Sequence, residues 1–273
     1  MTGYLREHGV PGPRLDAEVL LAHVLRVERE RLYRDPGRTL SEPERERYRQ
    51  LARRRARQRV PVAYLVGARE FWSHQFTVTP DVLIPRPETE RLVEVALALA
   101  HSHPIREILE IGVGSGVLAG AIALELPAVR LVALDRSRPA LAVARRNLER
   151  LGVSQRVTLI QADITEGLRG PFDLVVSNPP YVPSRGLRDL APEVRHEPVL
   201  ALDGGADGLA PIRRMVKELP ALLARPGYVA LEVGDGQAAK VCELLTGAGA
   251  GRLETHRDLA GVERVVAACF RRA

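Results

Sequence analysis

The hydrophobic positions of this 273-residue chain change their period twice. Over the first 60 residues they keep a helical spacing. Between residues 14 and 25, Leu15, Val19, Ala22 and Leu25 fall on one stripe and predict an amphipathic helix. Ser41 followed by Glu44 has the form of a capping box, and Pro43 suits a first helical turn. The run 44–58 is almost entirely polar. Tyr48, Leu51 and Ala52 give it only a thin face, so a surface helix is expected. Pro61 stops it. Between 62 and 84 the pattern shortens: Phe71, Trp72, Phe76, Val78, Val82 and Ile84 alternate loosely with polar residues, which suggests short strands or a hairpin. Pro85 and Pro87 then lead into a helix over 88–100 with acids in its first turn, where the helix dipole favours them.

From Ile105 onward strands and helices alternate. Strands are expected at 107–111, 130–134, 157–160, 174–176, 228–233 and 262–270, and helices at 117–125, 138–150, 209–223 and 237–246. Alternation at this spacing predicts an α/β fold with a doubly wound, mostly parallel sheet. The chain thus divides into a small N-terminal helical bundle at 1–60, a hairpin linker at 61–84 and a sheet domain at 85–273. Residues 183–208 make a long stretch rich in Pro, Gly and charge. Such a loop in a compact domain is usually functional or mobile.

Composition narrows the class. Hydrophobic residues at 45% allow a sizeable core. No run approaches 18 apolar residues, and the N-terminus lacks a basic segment followed by an apolar one, so a cytoplasmic protein is expected. Cys242 and Cys269 read as reduced packing residues, and with scattered histidines they give no metal-ligand spacing. The formal charge is +6. Residues 1–75 hold 16 Arg and no Lys against 10 acids, whereas residues 76–273 balance at 24 basic and 24 acidic, so the excess belongs to the N-terminal quarter. A basic face attracts nucleic acid or an acidic protein. A solvated helix surface accounts for it as well, since 38 of the 40 basic residues are Arg.

The chemistry concentrates at two strand ends. Gly112-Val113-Gly114-Ser115-Gly116 closes one strand and opens a helix. Glycines there let the backbone approach a ligand, at the sheet edge where open α/β folds bind nucleotides. Such a turn also serves NAD, but the Gly-x-Gly-x-x-Gly pattern fails at Val117 and no Gly-Lys-Ser/Thr is present, which favours S-adenosylmethionine. Asp135 ends the next strand and is placed for ribose hydroxyls, or alternatively as a helix cap before Ser137. Asp163 follows the third strand and is placed for an adenine amino group, or is a plain loop acid. Glu110 is placed for the methionine end of the cofactor.

Asn178-Pro179-Pro180-Tyr181 follows the fourth strand, at the same edge. Consecutive prolines fix the backbone and keep it out of regular structure. Asn178 Oδ1 and the Pro179 carbonyl can each accept one hydrogen of a planar NH₂ group, and Tyr181 offers an aromatic face. Such a nitrogen is a poor nucleophile because its lone pair is delocalised. Holding it by two acceptors favours the positive charge that grows on attack. A rigid turn closing the strand is the plain alternative. An amide and an adenine amino group both satisfy this chemistry.

Further motifs extend over nearly the whole chain: residues 13–18, Pro-Arg-Leu-Asp-Ala-Glu; residues 83–90, Leu-Ile-Pro-Arg-Pro-Glu-Thr-Glu; Glu197-Pro198 leading to Leu202-Asp203-Gly204-Gly205, Asp207, Gly208 and Leu209; and Arg257-Asp258-Leu259-Ala260-Gly261. With the two motifs above, the chain resembles the HemK family of glutamine methyltransferases. The resemblance implies a seven-stranded class I methyltransferase domain with a helical N-terminal domain that docks the substrate. As substrate it implies the Gly-Gly-Gln glutamine of class I peptide chain release factors, modified on N5; a monomer that requires no direct nucleic-acid contact is expected. The resemblance assigns cofactor contacts to Gly112–Gly116, Asp135 and Asn178, and glutamine contacts to Asn178, Pro179, Pro180 and Tyr181; Asp163, by its placement, and Ile164, as an apolar wall, are counted with the cofactor site. Ile164 stands where a cofactor-stacking aromatic is usual, Glu110 where Asp is usual, and Glu263-Arg264 where an Asp-Arg pair is usual. Arg86 either closes over cofactor or partner or pairs with an acid, and His196 and Glu197 lie beside the substrate loop. A ribosomal-protein glutamine, a nucleic-acid adenine and a non-catalytic cofactor-binding module remain the alternatives.

Overall fold

The computed structural model describes residues 1–35 and 37–271. They form two units, residues 1–68 with 190–196, and residues 69–189 with 197–271.

The first unit is helical: α1 (Thr2–Glu7), α2 (Pro13–Leu25), α3 (Arg31–Arg34), α4 (Glu42–Gln58) and α5 (Val62–Val66). Ser41 and Glu44 make the expected reciprocal capping box at the start of α4. The buried face of α2 differs from the expected stripe. Ala17, Leu20 and Ala22 are buried, while Leu15 is 50% exposed. The small residues allow α2 and α4 to approach closely, so Ala17 packs with Leu5, Val10, Ala52 and Ala56. Helix α4 is also less superficial than its polarity suggests. Arg55 is buried on it, its guanidinium held by Asp16 at 2.6 Å and by Glu193 at 2.7 Å. Arg59 pairs with the same Glu193, and His196 Nε2 meets the Gln58 carbonyl at 2.7 Å, which binds the 190–196 segment into this unit. Arg55→Ala leaves Asp16 without its cation and Glu193 with Arg59 alone. Removing one partner of a buried ion pair costs about 3–5 kcal/mol. The expected result is a loss of that order in the denaturant unfolding of this unit, checked by urea titration with Arg55→Lys as the charge-keeping comparison.

The second unit begins with a hairpin, β1 (Ala68–Phe71) and β2 (His74–Thr77), joined through Trp72 and Ser73, both at positive φ. Two positive φ values make the type of tight turn whose twist matches a hairpin. The helix α5 occupies residues where strands were expected. A 3-10 turn (Pro87–Thr89) precedes α6 (Glu90–Ser102), so the acidic first turn near residue 88 is a separate turn.

Then follow β3 (Glu107–Ile111), α7 (Val117–Glu125), β4 (Arg130–Asp135), α8 (Arg138–Arg150), β5 (Val157–Gln161), β6 (Phe172–Ser177), α9 (Ala210–Leu222), β7 (Leu223–Glu232), α10 (Ala238–Gly247), β8 (Arg252–Arg257) and β9 (Glu263–Phe270). The seven strands β3 to β9 form one sheet in the order β5-β4-β3-β6-β7-β9-β8. All pairings are parallel except those of β9 with β7 and β8. The seven-stranded sheet implied by the family resemblance is present. The pattern of apolar residues misses β8, because Arg-Leu-Glu-Thr-His-Arg is an edge strand carrying one apolar side chain. Charge along an edge discourages pairing with another chain. Two apolar layers cover the sheet. One centres on Leu92, Ile108, Ile122 and Leu131, the other on Leu109, Ile212, Leu219 and Leu231. Among the described residues no helix is long and apolar enough to cross a membrane.

The order of connections reverses at β3, whose neighbours are β4 on one side and β6 on the other. Ligands of open α/β sheets bind in the crevice at such a switch point.

Candidate active site

A cavity of about 440 Å³ opens at that point, within the size range of ligand pockets. It is lined by the carboxyl ends of β3, β4 and β6 and by the segments 81–89 and 198–203.

Gly112 and Gly114 have φ of +82° and +53°, and a side chain at either would meet no protein atom within 4 Å. The loop therefore presents bare backbone to open space. It is fixed from behind: the Gly112 and Val113 amides donate to the Leu134 carbonyl, and the Gly114 amide donates to Asp135 Oδ2 at 3.0 Å. Asn147, fully buried, donates through Nδ2 to the Ser115 carbonyl and exchanges two hydrogen bonds with Thr77. Gly116 differs from its neighbours. It is absent from the cavity lining, and its missing side chain admits Ala144 of α8, so its place in the motif is one of packing.

Asp135 lines the cavity and also accepts from the Ser137 amide, while Ser137 itself caps α8. Burial raises its pKa against the hydrogen bonds that favour the ion. Glu110 is 1% exposed, lines the cavity, and its Oε2 has no hydrogen-bond partner among the described residues. Burial drives its pKa well up. Asp163 lines the cavity with Oδ2 engaged by Arg214 at 2.9 Å. Ile164 lines it at φ +58°, a conformation unusual for a β-branched residue.

Asn178, Pro179 and Pro180 line the same cavity. Asn178 Nδ2 donates to Thr89 Oγ1 at 3.0 Å, which turns Oδ1 away from that contact and leaves it as an acceptor. Thr89 comes from the Pro-Arg-Pro-Glu-Thr-Glu string, and its hydroxyl leaves the start of α6 uncapped to do this. Tyr181 is placed otherwise than expected. It is absent from the lining; its ring lies against Gly234, its carbonyl accepts from Gln237, and its hydroxyl faces Glu232 Oε1 at 3.5 Å. Arg86 lines the cavity and pairs with the buried Glu197, whose other oxygen accepts from the Ile84 amide at 3.0 Å. Its role as an acid's partner is therefore present in the fold, and Glu197 joins the 81–89 segment to the loop after β6.

Glu232 at the end of β7 is also 1% exposed, and burial pushes its pKa up to about 7. A carboxyl raised in the folded state binds more protons there than in the unfolded chain. Stability is then greatest below the unfolded value of 4.5 and falls as pH rises to about 7, by about 3 kcal/mol. Glu110 adds to the same slope. Glu232→Gln is expected to flatten it and to raise the urea midpoint at pH 8 but not at pH 4.

The chain matches the PrmC N-terminal domain over residues 1–67 and the Methyltransferase small domain over residues 91–194. Among solved structures it is similar to the hMettl16 catalytic domain in complex with an RNA hairpin, at 15% identity and a TM-score of 0.61 over 85% of this chain and 83% of that one. It is also similar to a T. thermophilus 16S rRNA methyltransferase solved with AdoMet and guanosine, at 18% identity and a TM-score of 0.54 over 75% of this chain and 50% of that one. Both show the fold alone. Curated relatives reach much further. The release factor glutamine methyltransferase of Geobacter sulfurreducens is 44% identical over 97% of this chain and 92% of its own length, and that of Caulobacter vibrioides is 41% identical over 96% and 91%. Identity of this extent, over nearly the whole of both chains, means that the chain belongs to the release factor glutamine methyltransferase family.

Proposed function

We propose that the chain transfers a methyl group from S-adenosylmethionine to the side-chain N5 of the glutamine in the Gly-Gly-Gln motif of class I peptide chain release factors. The observation that carries this is the fixed Asn178 amide: with Nδ2 committed to Thr89, Oδ1 is free to accept an N–H of an incoming planar amide. The names of the full-length relatives support the choice of glutamine over adenine.

The cavity suits the cofactor by its own chemistry. The bare backbone at Gly112 and Gly114 lets a ligand lie close, and the unpartnered Glu110 Oε2 fits an ammonium group. Asp135 suits ribose hydroxyls, and Leu134, Ile164 and Met215 supply apolar walls for a base. When bound, S-adenosylmethionine supplies an electrophilic sulfonium methyl. The chain's part is then to position the amide nitrogen and to favour its growing charge. Asn178 Oδ1 accepts one amide hydrogen, and the Pro179 carbonyl, on a backbone that the two prolines hold rigid, suits the second. The same proposal puts the enzyme in the cytoplasm, with its protein substrate.

The test is transfer of labelled methyl to a recombinant release factor. One label per molecule, lost when the Gly-Gly-Gln glutamine is replaced, is the expected result. Label that persists after that replacement, or that goes instead to a ribosomal protein or to nucleic acid, overturns the substrate. Gly114→Val separately probes the cofactor cradle. A branched side chain at φ +53° is strained by about 1–2 kcal/mol and projects into the cavity. Affinity for S-adenosylmethionine is expected to fall by about tenfold or more, measured by calorimetry.

A further inference from the structure

Both ends of the Asn178–Tyr181 turn are tied back toward one buried carboxyl. Thr89 takes the Asn178 Nδ2 hydrogen, and its hydroxyl lies near enough to Glu232 to favour that carboxyl's charged form against the effect of burial. Tyr181 directs its hydroxyl to Glu232 Oε1. Thr89 and Glu232 are 3% and 1% exposed, and Glu232 Oε2 has no hydrogen-bond partner among the described residues. Such a carboxyl is costly to bury with an oxygen unsatisfied. The Thr89 hydroxyl has a single hydrogen. If it donates to Glu232, its lone pairs face Asn178, and the amide must present Nδ2 to Thr89 and Oδ1 to the cavity. Without an acceptor at 232, that hydrogen is free to turn toward Asn178, and the amide can flip and present a donor to the substrate.

We infer that Glu232 is a positioning residue of the methyl-transfer site, acting through Thr89 to set the orientation of the Asn178 amide and through Tyr181 to hold the far end of the turn. This rests on the reaction proposed above. Arg264 of β9, itself bound to Asp258 at 2.9 Å, adds its positive charge near Glu232 and Tyr181, while Arg86 and Glu88 contribute weaker fields from the 81–89 segment. Those groups act on Glu232 and Tyr181 electrostatically; the route to Asn178 passes through the Thr89 hydroxyl.

Two measurements on the full chain test this. In the methyl-transfer assay, Glu232→Leu, which leaves no acceptor at 232, and Thr89→Val are each expected to lower kcat about tenfold with little change in the KM for S-adenosylmethionine, while Thr89→Ser, which keeps the hydroxyl, stays near the wild-type rate. In the Thr89→Val background, Glu232→Leu should cost less than about twofold more, since the route is already cut. Unchanged kcat in Glu232→Leu, or losses that multiply in the double variant, overturns the inference. So does a loss of kcat in Glu232→Leu that follows a loss of stability, read by urea titration at the assay pH. The second measurement needs no protein substrate. The Asn178 side-chain NH₂ resonance, assigned by its disappearance in Asn178→Asp, should shift with pH in the wild-type protein and stay fixed in Glu232→Gln and Thr89→Val. A resonance that does not move, or that moves equally in all three, overturns the inference. A coupled resonance with no methyl transfer to release factor leaves the positioning role standing and removes the proposed substrate.

Discussion

Asn178→Ala is expected to lower kcat by about 10²–10³-fold while leaving S-adenosylmethionine affinity within a few-fold. The magnitude follows from what one preorganised polar group contributes when it faces charge that develops only in the transition state. An amide nitrogen carries little positive charge at rest and much more as it takes a methyl group. An acceptor already oriented toward it therefore favours the transition state over the bound substrate, so the loss belongs to kcat more than to KM. Asn178 has that orientation from Thr89. The residues proposed to hold the cofactor line the cavity mainly elsewhere, along Gly112, Gly114, Asp135 and Ile164, so binding should be nearly spared. Asn178→Asp is a useful companion. It keeps the acceptor oxygen and adds a second in place of the NH₂, so it has no hydrogen to give Thr89, and its charge is placed in a half-buried site. An intermediate loss is expected. Single-turnover assays at saturating cofactor separate these outcomes. If Asn178→Ala keeps most of the wild-type rate, the two-acceptor mechanism is wrong.

The parts of this site differ in how far they could be seen from the chain alone. The alternation of strands and helices after residue 105 sets the topology because each buried parallel strand is nearly continuous in apolar residues, as in Glu107–Ile111 and Phe172–Ser177. Strand β8 has no such signal because it is exposed at the edge. The buried face of α2 departs from the expected stripe for a related reason: Ala17, which packs with Ala52 and Ala56 of α4, is a small residue that a search for large apolar side chains passes over. The glycine loop and Asn178–Tyr181 are local motifs and could be read as such. What they could not show is which side chains fix them, since Thr89 lies 89 residues from Asn178, and Glu232 lies 51 from Tyr181. Tyr181 shows the consequence. Its residue type suggests a stacking face, yet its hydroxyl and ring are engaged behind the cavity. Gly116, likewise, stands in the cofactor motif but serves the packing of α8.

The Gly-rich stretch after the turn supplies the other large effect. Segment 182–184 pairs with 202–205: the Val182 amide donates to the Leu202 carbonyl, the Gly204 amide to the Val182 carbonyl, and the Ser184 amide to the Gly205 carbonyl. This brings Gly208, at φ +80°, under the Tyr181 carbonyl. A methyl group on Gly208 would sit 2.3 Å from that oxygen and 2.6 Å from Gln237 Nε2, the very atom that donates to it at 3.0 Å. Gly208→Ala thus combines left-handed strain of about 1 kcal/mol, overpacking of about 1–3 kcal/mol and a weakened hydrogen bond of about 1 kcal/mol. A loss of about 3–5 kcal/mol is expected, which for a chain of this size lowers the melting temperature by roughly 10 °C. Activity should fall by at least about tenfold even below the melting transition, because relief of the clash displaces Tyr181 and with it the adjoining Pro179-Pro180 backbone. Gly236→Ala separates strain from contact. Gly236 has nearly the same φ, +74°, but nothing within 4 Å of the added methyl, so only the strain of about 1 kcal/mol should remain, with activity near that of the wild type. Equal effects of the two substitutions, measured by thermal melts and single-turnover rates side by side, would show that the Gly208 contact does not hold the turn.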